Sequence, residues 1–167
     1  MSFNHKELTM RAFDKMNFSK GLVLDVGCRN KASESDLVNR GFSWVGCDKV
    51  SSEGVLTCDM CDLSNAFHYK FDLIFVCHAL EHCENPSQAL REMKTITQSG
   101  GIIFISTPRY CYKQLFSLDK DHISVFTDLQ LKKLFEYVGI DLVSQWIEVN
   151  NGVDVDMDSL ITVGLIK

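Results

Sequence analysis

The chain has 167 residues, of which 46% are hydrophobic and 23% are charged, and its formal net charge is −5. This is the length of about one domain with a buried core. The acidic balance disfavours nucleic acid as a partner, because nucleic-acid affinity depends on cations that replace phosphate counterions. The apolar runs are too short to span a bilayer, the charged N-terminus does not resemble a secretory signal, and seven scattered cysteines favour reduced thiols. We therefore expect a cytoplasmic protein.

Apolar strand patterns alternate with amphipathic helix patterns along most of the chain. The N-terminal pattern predicts a helix over about 4–17. The predicted strands are 21–26, 43–48, 54–58, 71–77, 101–107, 140–148 and 160–166.

Three later helices carry terminal signals. Ser33 and Asp36 resemble a capping box for a short helix that ends at Gly41. Pro86 fits the first turn of a second helix, which the pair Gly100-Gly101 is expected to end. Thr127 is the expected N-cap of a third helix.

Strands that alternate with helices predict a mostly parallel sheet covered on both faces. The last two predicted strands have no helix between them, so the last strand is expected to run antiparallel. The predicted fold class is therefore α/β, with a doubly wound, mostly parallel seven-stranded sheet and an antiparallel last strand. We expect residues 1–20 to form an N-terminal helical segment and residues 21–167 to form a single domain. Ligands of such sheets bind at the carboxyl ends of the strands.

The first predicted strand runs into a turn in the stretch "LVLDVGCRNK", which contains Asp25 and Gly27. Asp48 ends the second predicted strand, 21 residues after Gly27. In nucleotide-binding sheets, an acid at about this distance accepts hydrogen bonds from ribose hydroxyls. A solvated acid at the end of a strand would give the same pattern, so the spacing alone leaves both interpretations open.

The segment "VLDVGCRNKASESDLVNRGFSWVGCD" has the register of the class I S-adenosylmethionine-dependent methyltransferases, which the chain resembles from Leu22 onward. The stretches "FDLIFVCHALEHCENPSQALREMKTITQSGGIIFISTP" and "HISVFTDLQLKKLFEYVGI" are similar to later parts of small methyltransferases of the quinone-precursor type. The resemblance covers about residues 20–167. It implies a Rossmann-like methyltransferase fold, S-adenosylmethionine as cofactor, and methyl transfer to a small or exposed acceptor. It leaves oligomerisation open.

The chain departs from the family pattern at Arg29 and Lys31, where the family usually has its second and third glycines. A non-glycine residue held at positive φ costs roughly 1–2 kcal/mol. A pyrophosphate site needs bare backbone amides, but the methionyl end of S-adenosylmethionine carries a carboxylate that a cation suits. Our hypothesis is that the loop binds cofactor, with Arg29 as a carboxylate partner. The alternative is a solvent-facing cation on a loop that binds poorly.

The resemblance also carries over residues around the cofactor. Asp25 is expected to orient the loop beside Gly27 and to accept from the cofactor's amino group. Asp59 matches the acceptor for the adenine amino group, with Asp62 as a nearby competitor, and Met60 is expected to pack on the adenine ring.

The stretch "CHALEHC", residues 77–83, matches the family segment that follows the fourth strand. We expect Cys77 and His78 to form one wall of the cofactor pocket. His82 is a candidate base near the acceptor, and the alternative is that both histidines only fill space and bond their neighbours.

The loop after the fifth predicted strand lies where the family builds its acceptor site. His122 is the second candidate catalytic residue. Tyr110, Tyr112 and Asp121 are candidate linings, and Arg109 could meet an anionic acceptor. These side chains could instead only anchor the loop to the sheet.

Other functions compete with methyl transfer. A methyltransferase-like fold without turnover would be a binding protein, and a nicotinamide-dependent oxidoreductase would need the missing glycines. Redox work by Cys58 and Cys61 is weakly supported, because no helix clearly begins between the two thiols. A zinc site has a set of candidate ligands but lacks a second Cys-x-x-Cys pair, so we predict no metal. Those ligands would be Cys58, Cys61, Cys77, His78, His82 and Cys83.

Overall fold

A computed structural model describes residues 5–18, 20–109, 120–149 and 158–167. The strands are β1 Leu22–Val26, β2 Ser43–Asp48, β3 Leu56–Thr57, β4 Phe71–Cys77, β5 Thr97–Pro108, β6 Asp141–Glu148 and β7 Ser159–Leu165. The helices are α1 His5–Asp14, α2 Glu34–Asn39, α3 Leu63–Ala66, α4 Pro86–Ile96 and α5 Asp128–Val138, with a short 3₁₀ helix at Leu80–His82. Within these ranges, no helix has the length and apolarity to cross a membrane.

The described strands form one seven-stranded sheet in the order β3-β2-β1-β4-β5-β7-β6. Neighbours from β3 to β5 pair in parallel, whereas β7 pairs antiparallel with both β5 and β6. The predicted α/β class and the antiparallel last strand are both confirmed. The strand order reverses between β1 and β4, and doubly wound sheets bind ligands at such a switch point.

Both faces of the sheet are buried, because the strands alternate their apolar side chains between two helical layers. On one face, Phe13 of α1 packs edge-on against Phe75 and Phe104, which stack on each other at 5.6 Å between ring centroids. On the other face, α3, α4 and α5 cover a core that includes Leu24, Ile74 and the fully buried Phe135. The sheet therefore forms a rigid base for the loops that follow its strands.

Two local predictions are corrected by the structure. Ser33 makes no capping hydrogen bond with its side chain, since its backbone (φ −104°, ψ −3°) is already helical and does not have the extended conformation of an N-cap. α4 ends at Ile96, ahead of the glycines, because Thr97 turns extended and begins β5. Gly100 and Gly101 therefore lie inside a strand with a register shift opposite β4. The N-cap at Thr127 is confirmed, and Gln130 completes a capping box with it.

Candidate active site

A cleft of about 750 Å³ opens where the parallel strands β1, β2, β3 and β4 end. One side, which we call the loop side, is formed by Gly27, Arg29 and Asp48 after β1 and at the end of β2. The opposite side, the histidine side, is formed around His78 and His82 after β4. The topology thus brings together residues that are up to 97 positions apart in the chain, from Val26 to Ile123.

Gly27 is required by both its backbone and its neighbour. Its φ is +74°, and a Cβ at this position would lie 2.4 Å from the Cβ of Ala79. The amide of Gly27 donates to the carbonyl of Cys47 at 2.8 Å, which ties the turn to β2. The close approach leaves bare backbone at the floor of the cleft, as a cofactor cradle requires.

Arg29 and Lys31 keep the backbone conformation of the glycines they replace. Their φ angles are +48° and +62°, in the left-handed region that glycine favours. The Arg29 amide donates to Asp48 Oδ2 at 2.8 Å, and the Arg29 carbonyl accepts from Ser52 Oγ at 2.9 Å. The loop therefore holds two non-glycine residues in a conformation that glycine favours, and these hydrogen bonds help to hold Arg29 in place.

Asp48 links the loop side internally. Its Oδ2 accepts from Arg29 and its Oδ1 accepts from the amide of Val50, each at 2.8 Å. An ionised carboxylate has about four lone-pair sites, so two remain for other donors. Asp48 lines the cleft while also fixing its rim.

Asp59 and Met60 both line the cleft beyond β3. Asp59 Oδ1 accepts from the amide of Cys61 at 2.8 Å, while the residue as a whole is exposed. Its competitor Asp62 lies outside this cleft, in an adjacent groove, where its Oδ1 accepts from Asn65 Nδ2 at 2.6 Å. The geometry therefore favours Asp59 over Asp62.

Asp25 lies beneath the loop and does not line the cleft. It is 1% exposed, and its Oδ2 accepts from Nε1 of Trp44 at 3.2 Å. Burial raises the pKa of Asp25 to about 7; the charge of Asp48 adds to this, and the hydrogen bond from Trp44 opposes it. Asp25 is thus hydrogen-bonded to β2, and the structure does not bring its carboxyl to the cleft where the cofactor's amino group was expected.

Cys77 also points away from the described cleft lining. Its thiol donates to Thr9 Oγ1 at 3.3 Å on the face covered by α1. The six described cysteines are all free, and Cys61 and Cys83 meet in the cleft with their sulfurs 3.5 Å apart. The Cys/His set considered for zinc does not form a cluster within the described ranges.

His78 lines the cleft in a strained backbone conformation, with φ +48°. Its Nε2 lies 2.9 Å from Ser159 Oγ, and its Nδ1 lies 3.5 Å from Glu81 Oε1. Its ring also meets the ring of His5 at 4.3 Å between centroids. Burial lowers the pKa of His5 to about 4, with the positive form of His78 adding to the effect.

His82 lines the cleft, whereas His122 contacts His82 and is not part of the lining. Their ring centroids are 4.9 Å apart, and His82 Nδ1 lies 2.8 Å from the carbonyl of Asp121. The carbonyl of Glu81 accepts from the amides of Ile123 and Ser124, each at 2.9 Å. These hydrogen bonds hold the segment that carries His122 next to the short 3₁₀ helix.

The remaining acceptor-loop predictions have separate outcomes. Arg109 Nε lies 3.9 Å from Asp128 Oδ1, and it does not line the described cleft. Tyr110 and Tyr112 lie outside the described residues.

Sequence reasoning missed Glu81, Lys49 and Lys120. Lys49 and Lys120 line the cleft and add positive charge to it. Glu81 is buried beside both histidine positions, and its place between them in "HALEH" was the signal that could have identified it.

Comparison with protein families decides the relationship. Residues 4–145 match a family model described as a methyltransferase domain, which is most of the chain. The chain belongs to the class I S-adenosylmethionine-dependent methyltransferases. This family uses S-adenosylmethionine, as the sequence predicts. No curated protein sequence matches the chain.

Solved methyltransferase structures share the fold at low sequence identity. The 1,6-didemethyltoxoflavin-N1-methyltransferase of Burkholderia thailandensis is 13% identical, with a TM-score of 0.75 over 98% of this chain and 78% of its own. The N-methyltransferase NodS of Bradyrhizobium japonicum is 15% identical, with a TM-score of 0.69 over 97% and 85%. A methyltransferase from Archaeoglobus fulgidus is 17% identical, with a TM-score of 0.72 over 97% and 94%. These similarities show the fold of the chain.

Proposed function

We propose that this methyltransferase moves the methyl group of S-adenosylmethionine to a small or exposed acceptor at the histidine side of the cleft. The observation that carries the proposal is the convergence of Gly27, Arg29, Asp48, Asp59 and His78 on one cleft at the switch point of the sheet. The free thiols support the expected cytoplasmic location.

The loop side offers groups for each part of the cofactor. The free lone pairs of Asp48 suit the ribose hydroxyls, and the second oxygen of Asp59 suits the adenine amino group. Met60 contributes an apolar surface for the ring. Arg29 supplies a cation at the rim for the methionyl carboxylate. Gly27 lines the cleft with bare backbone, along which the chain that joins these parts would pass.

When bound, the cofactor supplies a methyl group on a positively charged sulfur, so the protein's main task is to align the acceptor. Positioning of this kind is worth roughly 7–11 kcal/mol of the barrier. His82 faces the cleft, and we place it as the base or positioning residue for the acceptor, with His122 behind its ring. A general base would add about 10²–10⁴-fold.

Cofactor binding can be tested with S-adenosylhomocysteine in a calorimeter. Asp59→Asn keeps the oxygen that accepts from Cys61 but puts a donor where the adenine amino group needs an acceptor. We expect a roughly 10–100-fold weaker affinity, the worth of one hydrogen bond to a charged group. Asp62→Asn is the matched control outside the cleft and should bind like the wild type. Absence of wild-type binding at millimolar S-adenosylhomocysteine would contradict the proposal.

A non-catalytic binding protein is the second candidate, and the strained Arg29 and Lys31 favour it. Incubation with S-adenosylmethionine labelled in its methyl group and a small-molecule cell extract separates the two functions. Transfer of label to an acceptor supports the enzyme. Binding of S-adenosylhomocysteine without any transfer supports the binding protein.

A further inference from the structure

Glu81, His82 and His122 bring three metal-type ligand atoms together on the histidine side. One oxygen or nitrogen atom from each residue lies within 4.8 Å of the others. The short 3₁₀ helix Leu80–His82 supplies the first two residues. The two hydrogen bonds from Ile123 and Ser124 to the Glu81 carbonyl bring His122 beside them.

The tautomer of His82 leaves a ligand atom available. Its Nδ1 is 2.8 Å from the Asp121 carbonyl, and a carbonyl oxygen can only accept. Nδ1 therefore carries the proton, and neutral His82 keeps a lone pair on Nε2. Metal-binding histidines commonly donate their other ring nitrogen to a backbone carbonyl in this way.

Glu81 gives an independent indication of a cation. The residue is 1% exposed, and its Oε1 lies 3.5 Å from His78 Nδ1. Its Oε2 is buried and accepts no hydrogen bond within the described ranges. A buried carboxylate oxygen without a donor is costly, and a bound cation would satisfy it.

We propose that Glu81, His82 and His122 bind one divalent cation. Of the three, His82 lines the cleft, so the open coordination position would lie on its side, with Glu81 and His122 outside the lining. Two histidines and one carboxylate form a ligand set that zinc uses in catalytic sites, where a fourth position is left for water or substrate. Asp121 orients His82 through its carbonyl, which is the kind of outer contact that metal-binding histidines commonly have. His78 Nδ1 lies 3.5 Å from Oε1, the other carboxylate oxygen of Glu81.

The site assigns a class of acceptor, and this part rests on the proposed methyl transfer. A hydroxyl group at the open position would have a lowered pKa, because the cation stabilises the oxygen anion. With Nε2 on the cation, His82 positions the acceptor and does not act as its base. The hydroxyl proton leaves to solvent, the oxygen forms a bond to the methyl carbon, and the carbon–sulfur bond breaks with its electron pair staying on sulfur. The acceptor class is therefore an alcohol or phenol.

The metal site can be tested by zinc titration of the full chain after chelation and dialysis. We expect one zinc ion per chain by calorimetry. Glu81→Gln and His122→Ala should each weaken zinc binding by at least roughly tenfold, in line with losses seen when metal-site contacts are removed. His68→Ala removes an exposed histidine outside the cleft and should leave the affinity unchanged.

Cys61→Ser separates this site from the neighbouring thiol pair of Cys61 and Cys83. Loss of zinc binding in Cys61→Ser but not in His122→Ala would overturn the proposal, and so would the absence of wild-type binding. Thermal unfolding shows whether each variant is folded; if Glu81→Gln is not, the half-buried loop residue His122 decides.

Affinity for S-adenosylhomocysteine is measured in the same samples. Zinc binding without S-adenosylhomocysteine binding would overturn the proposed function alone. S-adenosylhomocysteine binding without zinc binding would overturn the metal site alone.

Discussion

The two sides of the cleft are built on different physical principles. On the loop side, the carboxylate of Asp48 already has hydrogen-bond donors within the protein, because each of its oxygens accepts from a backbone amide. On the histidine side, the buried Glu81 keeps one oxygen without a donor in the described structure. A side that is already satisfied holds its shape before ligand arrives, whereas a side with an unmet acceptor gains stability when a ligand supplies the missing contact.

The largest effect on the loop side is expected from Gly27→Ala. The new Cβ would lie 2.4 Å from the Cβ of Ala79 at a φ of +74°. Overpacking and left-handed strain together should lower the free energy of unfolding by about 2–5 kcal/mol. We also expect the affinity for S-adenosylhomocysteine to fall at least ~100-fold, since each tenfold loss corresponds to only about 1.4 kcal/mol. Urea unfolding and calorimetry measure the two effects.

Gly100→Ala is the matched control for this variant. Gly100 has a similar φ of +80°, but a Cβ there would meet nothing within 4 Å. Its free energy of unfolding should fall only by the cost of left-handed strain, about 1–2 kcal/mol, and its affinity for the cofactor should be unchanged. Adding Ala79→Gly to Gly27→Ala removes the clashing Cβ, and should recover the part of the stability loss that is due to overpacking. Equal destabilisation of the two glycine variants would contradict the role of the Ala79 contact.

The support beneath the loop side can be tested through the pH dependence of Asp25→Asn. The pKa of Asp25 is about 7 in the folded protein against 3.8 as its ordinary value. Between these two pH values the folded state holds a proton that the unfolded state has released. The contribution of Asp25 to the free energy of unfolding of the wild type therefore falls as pH rises from about 4 to 7, and then stays level.

Asparagine cannot ionise, so Asp25→Asn should match the wild type near pH 4 and exceed it by up to about 4 kcal/mol at pH 8. Urea unfolding across this range measures the difference. The lowered pKa of His5 contributes with the opposite slope, but it is present in both proteins and cancels. Asp62→Asn, at an exposed carboxyl, is the control and should show no such growth. A constant offset for Asp25→Asn would refute the raised pKa.

The smallest effect is expected from two variants that distinguish the role of the Arg29 backbone conformation from the role of its side chain. Arg29→Ala keeps the left-handed strain but removes the cation, and should weaken S-adenosylhomocysteine binding roughly tenfold, as expected for one charge-assisted contact. Arg29→Gly should lose the same affinity while gaining about 1 kcal/mol of stability. Unchanged affinity in both variants would rule out the carboxylate contact and leave Arg29 as a solvent-facing cation.

The sequence predicted the central strands best because their signals are local and continuous. The bounds of β2 and β4 agree with the prediction. β4 is apolar at every position but Asp72, and β2 ends at Asp48, ahead of a mostly polar stretch. The end of α4 was wrong because the visible glycine pair outweighed Thr97, whose hydroxyl donates back to the Met93 carbonyl at 2.6 Å as the chain turns extended. Boundaries depend on such contacts more than on composition.

The spacing of motifs in the sequence predicted part of the candidate site. The loop side follows from neighbouring positions in β1 and β2, and the family's glycine pattern pointed to the two positions, Arg29 and Lys31, where the backbone has positive φ. The strand alternation that buries Leu24 in one core also directs Asp25 to the other face, which spacing from Gly27 did not reveal. The meeting of Glu81 with His122 depends on a loop that returns 41 residues later, and local pattern carries no signal for it.

The position of β7 between β5 and β6 has a consequence for biosynthesis. In the described sheet β6 pairs only with β7, so it has no hydrogen-bonded neighbour until residues 159–165 have been made by the ribosome. The same segment brings Ser159 to His78, which means that the histidine side is assembled late, after the loop side has its partners. A nascent chain halted before this point would carry an unpaired strand edge, the kind of surface that chaperones shield.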